Sequence, residues 1–150
     1  MCTQCPAGSQ SVLSRDKQTD CKCNPGYSGA DGNTCTPCLH GQYKGSIGDE
    51  VCKLCPSGTY TESSGTSQCT TCPEGSSSTE GSIDILNCSC LEGYTMSSND
   101  NTCTECPAGT YKDQKGNSGC EKCPGGSLSF PGATDVLYCD KLTDPKRVPC

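Results

Sequence analysis

Among the residue types of this chain, cysteine has the number and the spacing that indicate a chemical role. Eighteen of the 150 residues are cysteine, and most of them stand in pairs separated by one or two residues. Such pairs serve zinc coordination, thiol–disulfide exchange or structural disulfides. The CxxC pairs are Cys2/Cys5, Cys35/Cys38, Cys52/Cys55, Cys69/Cys72, Cys103/Cys106 and Cys120/Cys123, the CxC pairs are Cys21/Cys23 and Cys88/Cys90, and Cys139 and Cys150 stand alone.

The even spacing of the cysteines favours disulfides over the two other chemistries. A zinc site takes two such pairs for each ion, whereas these cysteines form one unbroken series with no histidine in ligand register. A redox centre places one CxxC at the start of a helix, and no stretch here has helical periodicity. Zinc and redox chemistry nevertheless stay open as alternatives at this point.

No constellation in the sequence indicates catalysis. His40, the only histidine, lies in "CLHGQY" without a partner of catalytic type, and we interpret it as an exposed turn residue. The acidic stretches "SIGDEVC" and "SSNDNTC" do not fit a spaced calcium loop. We therefore expect a protein that is not an enzyme and that has no cofactor and no metal site.

Composition and charge narrow the class further. The chain has 18 Gly, 10 Pro, no Trp and a single Phe, Phe130, so it cannot bury one large apolar core. The net charge is −6 and the basic residues are scattered, which argues against nucleic acid as a partner. No apolar run reaches the roughly 18 residues of a membrane span. Since no signal peptide precedes the first cysteines, we expect a piece of a longer protein.

Eight loops lie between the cysteine pairs, and all of them begin in the same way. Glycine is the third residue after every opening cysteine, often with proline directly after the cysteine, and this pattern predicts a tight turn. A tyrosine follows in five loops and predicts a short extended segment whose ring covers a disulfide. The glycines are Gly8, Gly26, Gly41, Gly58, Gly75, Gly93, Gly109 and Gly126, and the tyrosines are Tyr27, Tyr43, Tyr60, Tyr94 and Tyr111.

The loops are of three kinds. Long loops close after 16 residues (5–21, 72–88, 123–139), and short loops close after 14 (38–52, 55–69, 106–120). Two further loops, 23–35 and 90–103, open on a CxC and carry Gly-Tyr; we call them the Gly-Tyr loops. Their order predicts a first array over residues 1–71, a second over 72–122, and a truncated third unit with a tail over 123–150.

Sequential pairing of openers and closers is the simplest hypothesis for the crosslinks, although sequence alone cannot prove connectivity. Each loop of this length would gain about 3 kcal/mol by the chain-entropy estimate. Cys2 and Cys150 have no assigned partner. The hypothetical bridges are Cys5–Cys21, Cys23–Cys35, Cys38–Cys52, Cys55–Cys69, Cys72–Cys88, Cys90–Cys103, Cys106–Cys120 and Cys123–Cys139.

The stretch "CPSGTYTESSGTSQCTTCPEGSSSTEGSIDILNCSCLEGY", residues 55–94, resembles the cysteine-rich ephrin-receptor-like module. Its "CPxGTY" opening is also similar to the first part of tumour-necrosis-factor-receptor-like cysteine-rich repeats, and the Gly-Tyr loops resemble the last loop of an EGF-like module. The resemblance implies a small disulfide-rich fold: an elongated linear array of cystine-linked loops with short two-stranded β segments, no large core and little or no helix.

The same resemblance implies an extracellular or cell-surface protein of the secretory pathway. We expect a structural or adhesive segment of a larger protein, a disulfide-stapled rod that spaces domains or packs into a fibre or coat, with protein partners or self-assembly. The alternative is a receptor ectodomain that binds a protein ligand, and a third hypothesis is a cytosolic zinc-binding protein. Asn87, in the sequon Asn87-Cys88-Ser89, is a candidate for an N-glycan.

Overall fold

The computed structural model describes residues 4–11, 18–100 and 102–139, and in these ranges the regular structure is β-strands of two or three residues. The strands are β1 (Ser9–Ser11), β2 (Cys21–Cys23), β3 (Tyr27–Ser28), β4 (Thr36–Pro37), β5 (Gln42–Tyr43), β6 (Lys53–Leu54), β7 (Thr59–Tyr60), β8 (Thr70–Thr71), β9 (Ser76–Ser77), β10 (Ser89–Cys90), β11 (Tyr94–Met96), β12 (Cys103–Glu105), β13 (Thr110–Tyr111) and β14 (Glu121–Lys122).

In the described ranges, helical structure is confined to single 3₁₀ turns at Gln18–Asp20, Ile85–Asn87, Pro124–Gly126 and Val136–Tyr138. The second and fourth of these turns lie directly before a closing cysteine, as does the first. Among the described residues, no helix has the length and apolar character needed to cross a membrane.

Each sheet is an antiparallel pair formed at the two ends of one loop. The first strand leaves the opening turn, and the second strand contains the residues between the closing cysteine and the next opening cysteine. In the loop 55–69, Thr59 pairs with Thr71 and Tyr60 with Thr70. The two residues inside the five CxxC motifs from Cys35/Cys38 to Cys120/Cys123 therefore lie in the second strand of a hairpin.

The chain forms two compact units, one of Met1–Cys72 with Ser78–Asn87 and the other of Pro73–Ser77 with Cys88–Cys150. The first unit contains β1 to β8 and the second contains β9 to β14. Within the described residues, the buried apolar side chains are cysteines and Ala133. The small disulfide-rich class with two-stranded sheets and little helix is thereby confirmed, and cystine replaces aliphatic packing as the interior.

The tyrosines that follow the opening turns are half-buried. Two of them, Tyr27 and Tyr94, lie against a glycine of the preceding loop. Tyr111 instead donates its hydroxyl to the Glu121 carboxylate at 2.8 Å, across the hairpin of β13 and β14. The tyrosines that were predicted to cover disulfides thus make different contacts in different loops.

Candidate functional site at the joints between loops

The cysteines form bridges that each close one loop. Their Cα atoms lie 5.4 to 5.8 Å apart, within the usual range for disulfides. Cys72 and Cys88 are disulfide-bonded as well, whereas Cys2 and Cys150 lie outside the described residues. The bridges are Cys5–Cys21, Cys23–Cys35, Cys38–Cys52, Cys55–Cys69, Cys90–Cys103, Cys106–Cys120 and Cys123–Cys139.

The two members of a CxxC therefore belong to different bridges. Cys120 bonds to Cys106 behind it, and Cys123 bonds to Cys139 ahead of it. Zinc binding and disulfide exchange both need a thiolate, which a sulfur in a disulfide does not provide. Across the residues that the structure describes, no three His, Cys, Asp or Glu side chains come together in a way that could hold a metal ion.

His40 lies on an exposed turn of the loop 38–52. Its Nδ1 is 2.5 Å from the carbonyl oxygen of Glu62. Because a carbonyl oxygen only accepts, Nδ1 carries the proton in this contact. The imidazole thus helps to tie one loop to the next.

Neighbouring loops are connected in five places by the same two backbone hydrogen bonds, and we call each such connection a joint. The glycine of the opening turn donates to the carbonyl of the sixth residue after the next opening cysteine, and a second glycine of that next loop donates to the carbonyl of the first opening cysteine. Distances run from 2.7 to 3.2 Å. The pairs of bonds are Gly26–Lys44 with Gly48–Cys23, Gly41–Thr61 with Gly65–Cys38, Gly58–Ser78 with Gly81–Cys55, Gly93–Lys112 with Gly116–Cys90, and Gly109–Ser129 with Gly132–Cys106.

The glycine that opens a joint also approaches the backbone of the loop after next, in places so closely that only glycine fits. At Gly93, which has a φ of +76°, a Cβ atom would collide with the carbonyl oxygen of Gly132. Gly26 meets the Gly65 carbonyl in the same way. The repeated glycine of the sequence therefore serves contact between loops as well as the turn itself.

A buried polar side chain lies inside every joint. The sixth residue after the opening cysteine is 0 to 8 % exposed in each case. Its side chain bonds back to the preceding loop in four joints, whereas the Thr61 hydroxyl bonds within its own loop. The Ser78 hydroxyl donates to the Thr59 carbonyl at 2.9 Å, and the Ser129 hydroxyl donates to the Thr110 carbonyl at 2.7 Å. The residues at this position are Lys44, Thr61, Ser78, Lys112 and Ser129.

Lysine occupies this position where the preceding loop is a Gly-Tyr loop. The Lys44 ammonium donates to the carbonyls of Tyr27 at 2.8 Å and Gly48 at 2.7 Å, and Cys23 O lies 3.5 Å away.

Lys112 repeats the arrangement in the second unit. Its ammonium donates to the carbonyl of Tyr94 at 2.7 Å and to that of Gly116. Burial lowers the pKa of Lys112, although the Glu92 charge acts in the opposite direction. Neither Lys44 nor Lys112 forms an ion pair with a carboxylate in the described part of the chain. Sequence analysis missed both lysines; the only available signal was a hydrogen-bond donor at the sixth position of each loop that closes a joint.

The Gly-Tyr loops are attached to the long loops before them in another way. A Cβ atom on Gly8 would lie 2.8 Å from Cδ1 of Tyr27, and one on Gly75 would lie 2.7 Å from Cε1 of Tyr94. In both cases the tyrosine ring covers the glycine of the preceding turn. The first two long loops are thus attached to the next loop by a ring contact together with one backbone hydrogen bond, Asn24 to Gly8 or Leu91 to Gly75, in place of the two hydrogen bonds of a joint.

Asn87 is exposed at the end of the 3₁₀ turn Ile85–Asn87. Its Oδ1 accepts hydrogen bonds from the amides of Ile83 at 3.2 Å and Asp84 at 3.1 Å. These bonds use the oxygen of the side chain and do not involve the nitrogen, the atom that carries an N-glycan.

Comparison with known proteins agrees with this repeated architecture. A search of curated proteins finds no match. The family model described as tyrosine-protein kinase ephrin type A/B receptor-like matches three times, at residues 26–67, 46–88 and 93–139, which together span well over half of the chain. This family is a cysteine-rich receptor-like repeat of non-catalytic type, and with the disulfides it indicates an extracellular module. This chain, with its cystine-closed loops and its joints, therefore belongs to the ephrin-receptor-like cysteine-rich family.

Proposed function

We propose that this chain is an extracellular structural or adhesive segment, a disulfide-stapled rod that spaces other domains or packs into a fibre or coat. The observation that carries the proposal is the repetition of one joint at five places. A bridge closes each loop, and a joint then fixes the loop to its neighbour. Such a connection limits bending between loops, which is the property a spacer needs.

The rod is tested by small-angle X-ray scattering on the oxidised chain. A compact chain of this length would have a radius of gyration of about 15 Å, and an unfolded one about 40 Å. We expect a value clearly above the compact one, with a scattering curve of rod type, and a rise toward the unfolded value after reduction. A value near the compact figure would contradict the rod.

A receptor ectodomain that binds a protein ligand is the second candidate, because two loops display the same exposed leucine. Leu86 is 72 % and Leu137 is 73 % exposed. Each follows an aspartate whose carboxylate accepts its amide at 2.8 Å: Asp84 for Leu86 and Asp135 for Leu137. Exposed leucines at equivalent places, held by the same cap, fit a binding surface.

Binding of a fluorescent tetramer of the chain to intact cells separates the two candidates. A receptor role predicts at least a tenfold loss of binding when Leu86→Ser and Leu137→Ser are combined. Leu39→Ser, at another exposed leucine, is the matched control and should leave binding unchanged. Equal binding by all three proteins would favour the spacer.

We also propose that Asn87 carries an N-glycan. Support comes from its exposure and from hydrogen bonds that use the side-chain oxygen and not the nitrogen. After expression in a secretory host, the peptide that contains Asn87 should lose the mass of a glycan on treatment with a glycosidase. Ser89→Ala removes the sequon and keeps Asn87 in place, so that variant should show no such loss. An unmodified Asn87 in the unaltered chain would refute the proposal.

A further inference from the structure

Seven of the eight loops are completed by the same short hairpin. The first residue after the closing cysteine pairs with the fifth residue after the opening cysteine, and the second pairs with the fourth. The amide of the third residue after the closing cysteine then donates to the carbonyl of the opening glycine at 2.8 to 3.0 Å. These bonds are Asn24–Gly8, Cys38–Gly26, Cys55–Gly41, Cys72–Gly58, Leu91–Gly75, Cys106–Gly93 and Cys123–Gly109.

The hairpin does not depend on the kind of loop. It closes the long loops 5–21 and 72–88, the short loops and the Gly-Tyr loops with one register, although different neighbours follow them. The strand after a closing cysteine is therefore a general part of a loop in this chain.

The last long loop, 123–139, has the first half of this hairpin. Its opening turn is a 3₁₀ turn with a further positive φ at Gly125, but Gly126 has the φ of the other opening glycines, +73°, and the Ser127 amide donates to the Pro124 carbonyl as in the other loops. Ser127 and Leu128 are the fourth and fifth residues after the opening cysteine.

The partner strand of Ser127 and Leu128 is missing from residues 4–11, 18–100 and 102–139. Within these ranges, neither the amide nor the carbonyl of Leu128 has a hydrogen-bond partner, and neither has the Gly126 carbonyl. A row of backbone groups without partners is a template for a further strand. We call Gly126–Leu128 the open edge.

Residues 140–142 are the segment that follows directly at this edge. The bridge Cys123–Cys139 holds its two Cα atoms 5.4 Å apart, close to the 5.6 Å of Cys5–Cys21, so the chain leaves both loops from an equivalent place. A hairpin needs three residues after the closing cysteine, and eleven follow Cys139. The third of them, Leu142, is not a proline and has the amide that the hairpin uses.

The side chains of Asp140 and Lys141 also suit the hairpin. In the loop 106–120 the equivalent positions are occupied by Glu121 and Lys122, an acidic and a basic residue in the same order, and both are exposed there. The strand therefore accepts this pair of charges.

We propose that residues 140–142 add a strand to the open edge of the same molecule. Asp140 lies opposite Leu128, Lys141 lies opposite Ser127, and the Leu142 amide donates to the Gly126 carbonyl. The strand completes the last long loop and removes an edge at which two molecules could otherwise pair. The proposal rests on the seven hairpins and holds for a spacer and for a receptor.

The first test is NMR on the intact, oxidised and labelled chain. In the proposed register, Lys141 and Ser127 are a pair without mutual hydrogen bonds, like Cys90 and Ser76, and the α protons of such a pair lie close together. We expect a nuclear Overhauser effect between the α protons of Lys141 and Ser127, with that between Cys90 and Ser76 as the reference in the same spectrum. Absence of the first with the second present would overturn the proposal.

Two proline variants test the hydrogen bond itself. Leu142→Pro removes the amide that donates to Gly126, and we expect the Leu128 amide to exchange with solvent about tenfold faster or more. Thr143→Pro, one residue beyond the strand, is the matched control and should leave this exchange unchanged. The Gly132 amide, which bonds to Cys106, reports that the fold persists in both variants. Equal effects of the two prolines, or none from Leu142→Pro, would contradict the proposed strand.

Dilution separates a strand of the same molecule from one donated by a second copy. Exchange at Leu128 and Leu142 should be the same at high and at low protein concentration. Protection of these amides that is lost on dilution would assign the strand to a second copy and overturn the proposal.

Discussion

Lys44 and Lys112 show how a charged residue is buried in a chain that has almost no apolar interior. Moving an ammonium group out of water costs several kcal/mol unless its donors are satisfied. Here the donors meet backbone carbonyls of Tyr27 and Gly48, or of Tyr94 and Gly116. The long side chain reaches both the preceding loop and its own, and a serine at this position reaches the preceding loop only. Each lysine therefore links two backbone segments by itself.

Replacing Lys112 by methionine keeps the stem of the side chain and removes its donors. Because the carbonyls of Tyr94 and Gly116 then lose their partner, we expect the free energy of unfolding to fall by about 1 to 3 kcal/mol. Guanidinium denaturation with the disulfides intact measures it. Lys115→Met, on an exposed residue of the same loop, should change it by less than about 0.5 kcal/mol. A similar loss of unfolding free energy in both variants would show that the buried hydrogen bonds of Lys112 do not contribute to stability.

At the scale of elements, the joint is the unit that repeats, and it combines a hairpin of one loop with the turn of another. The strand between two bridges fixes the direction of the chain, and the opening turn presents its glycine amide to the next loop. A side chain added at the glycine should therefore disturb a joint, whereas substitutions on the exposed strand should not, because residues such as Thr70 and Thr71 face solvent.

Gly93→Ala tests this sensitivity. Its methyl group would collide with the Gly132 carbonyl. We therefore expect the Gly116 amide, which donates to Cys90 in the same joint, to exchange with solvent at least tenfold faster, a change of about 1.4 kcal/mol. Gly126→Ala has nearly the same positive φ and meets no atom, so it carries the backbone cost alone. Hydrogen exchange measured by NMR compares the two variants. Equal exchange at Gly116 would mean that backbone strain, and not the contact, controls the joint.

For the whole molecule, the bridges replace a core. The described interior consists of cystine and of polar side chains bonded to carbonyls, so little apolar area holds the fold once the bridges are cut. Stability of this kind resides in the limited freedom of the unfolded chain more than in packing.

Reduction should therefore unfold both units. We expect the dispersed α-proton signals of Gly8 and Gly75 to collapse to random-coil values after treatment with a thiol, and to return on slow reoxidation. Peptide mapping without reduction should find Cys5 with Cys21 and Cys123 with Cys139, as in the structure. Native-like glycine shifts in the fully reduced chain would contradict a fold held by disulfides.

The repeat, the opening turns and the disulfide-rich class could be read from the sequence because each is local. A glycine three residues after every opening cysteine predicts a turn, and the turns at Gly8, Gly75 and Gly126 have the expected positive φ. The CxxC motif was ambiguous, since the same spacing serves zinc, redox chemistry and two separate bridges. The structure assigns Cys120 and Cys123 to different bridges.

Only the tertiary structure decided what lies between the loops. The joints connect backbone amides to backbone carbonyls, and because almost every residue carries both groups, the sequence does not say which amide meets which carbonyl. The burial of Lys44 depends on carbonyls of Cys23 and Tyr27, 21 and 17 residues away, which no local pattern connects to it. Sequence thus determined the loops and their order, and long-range hydrogen bonding determined how one loop holds the next.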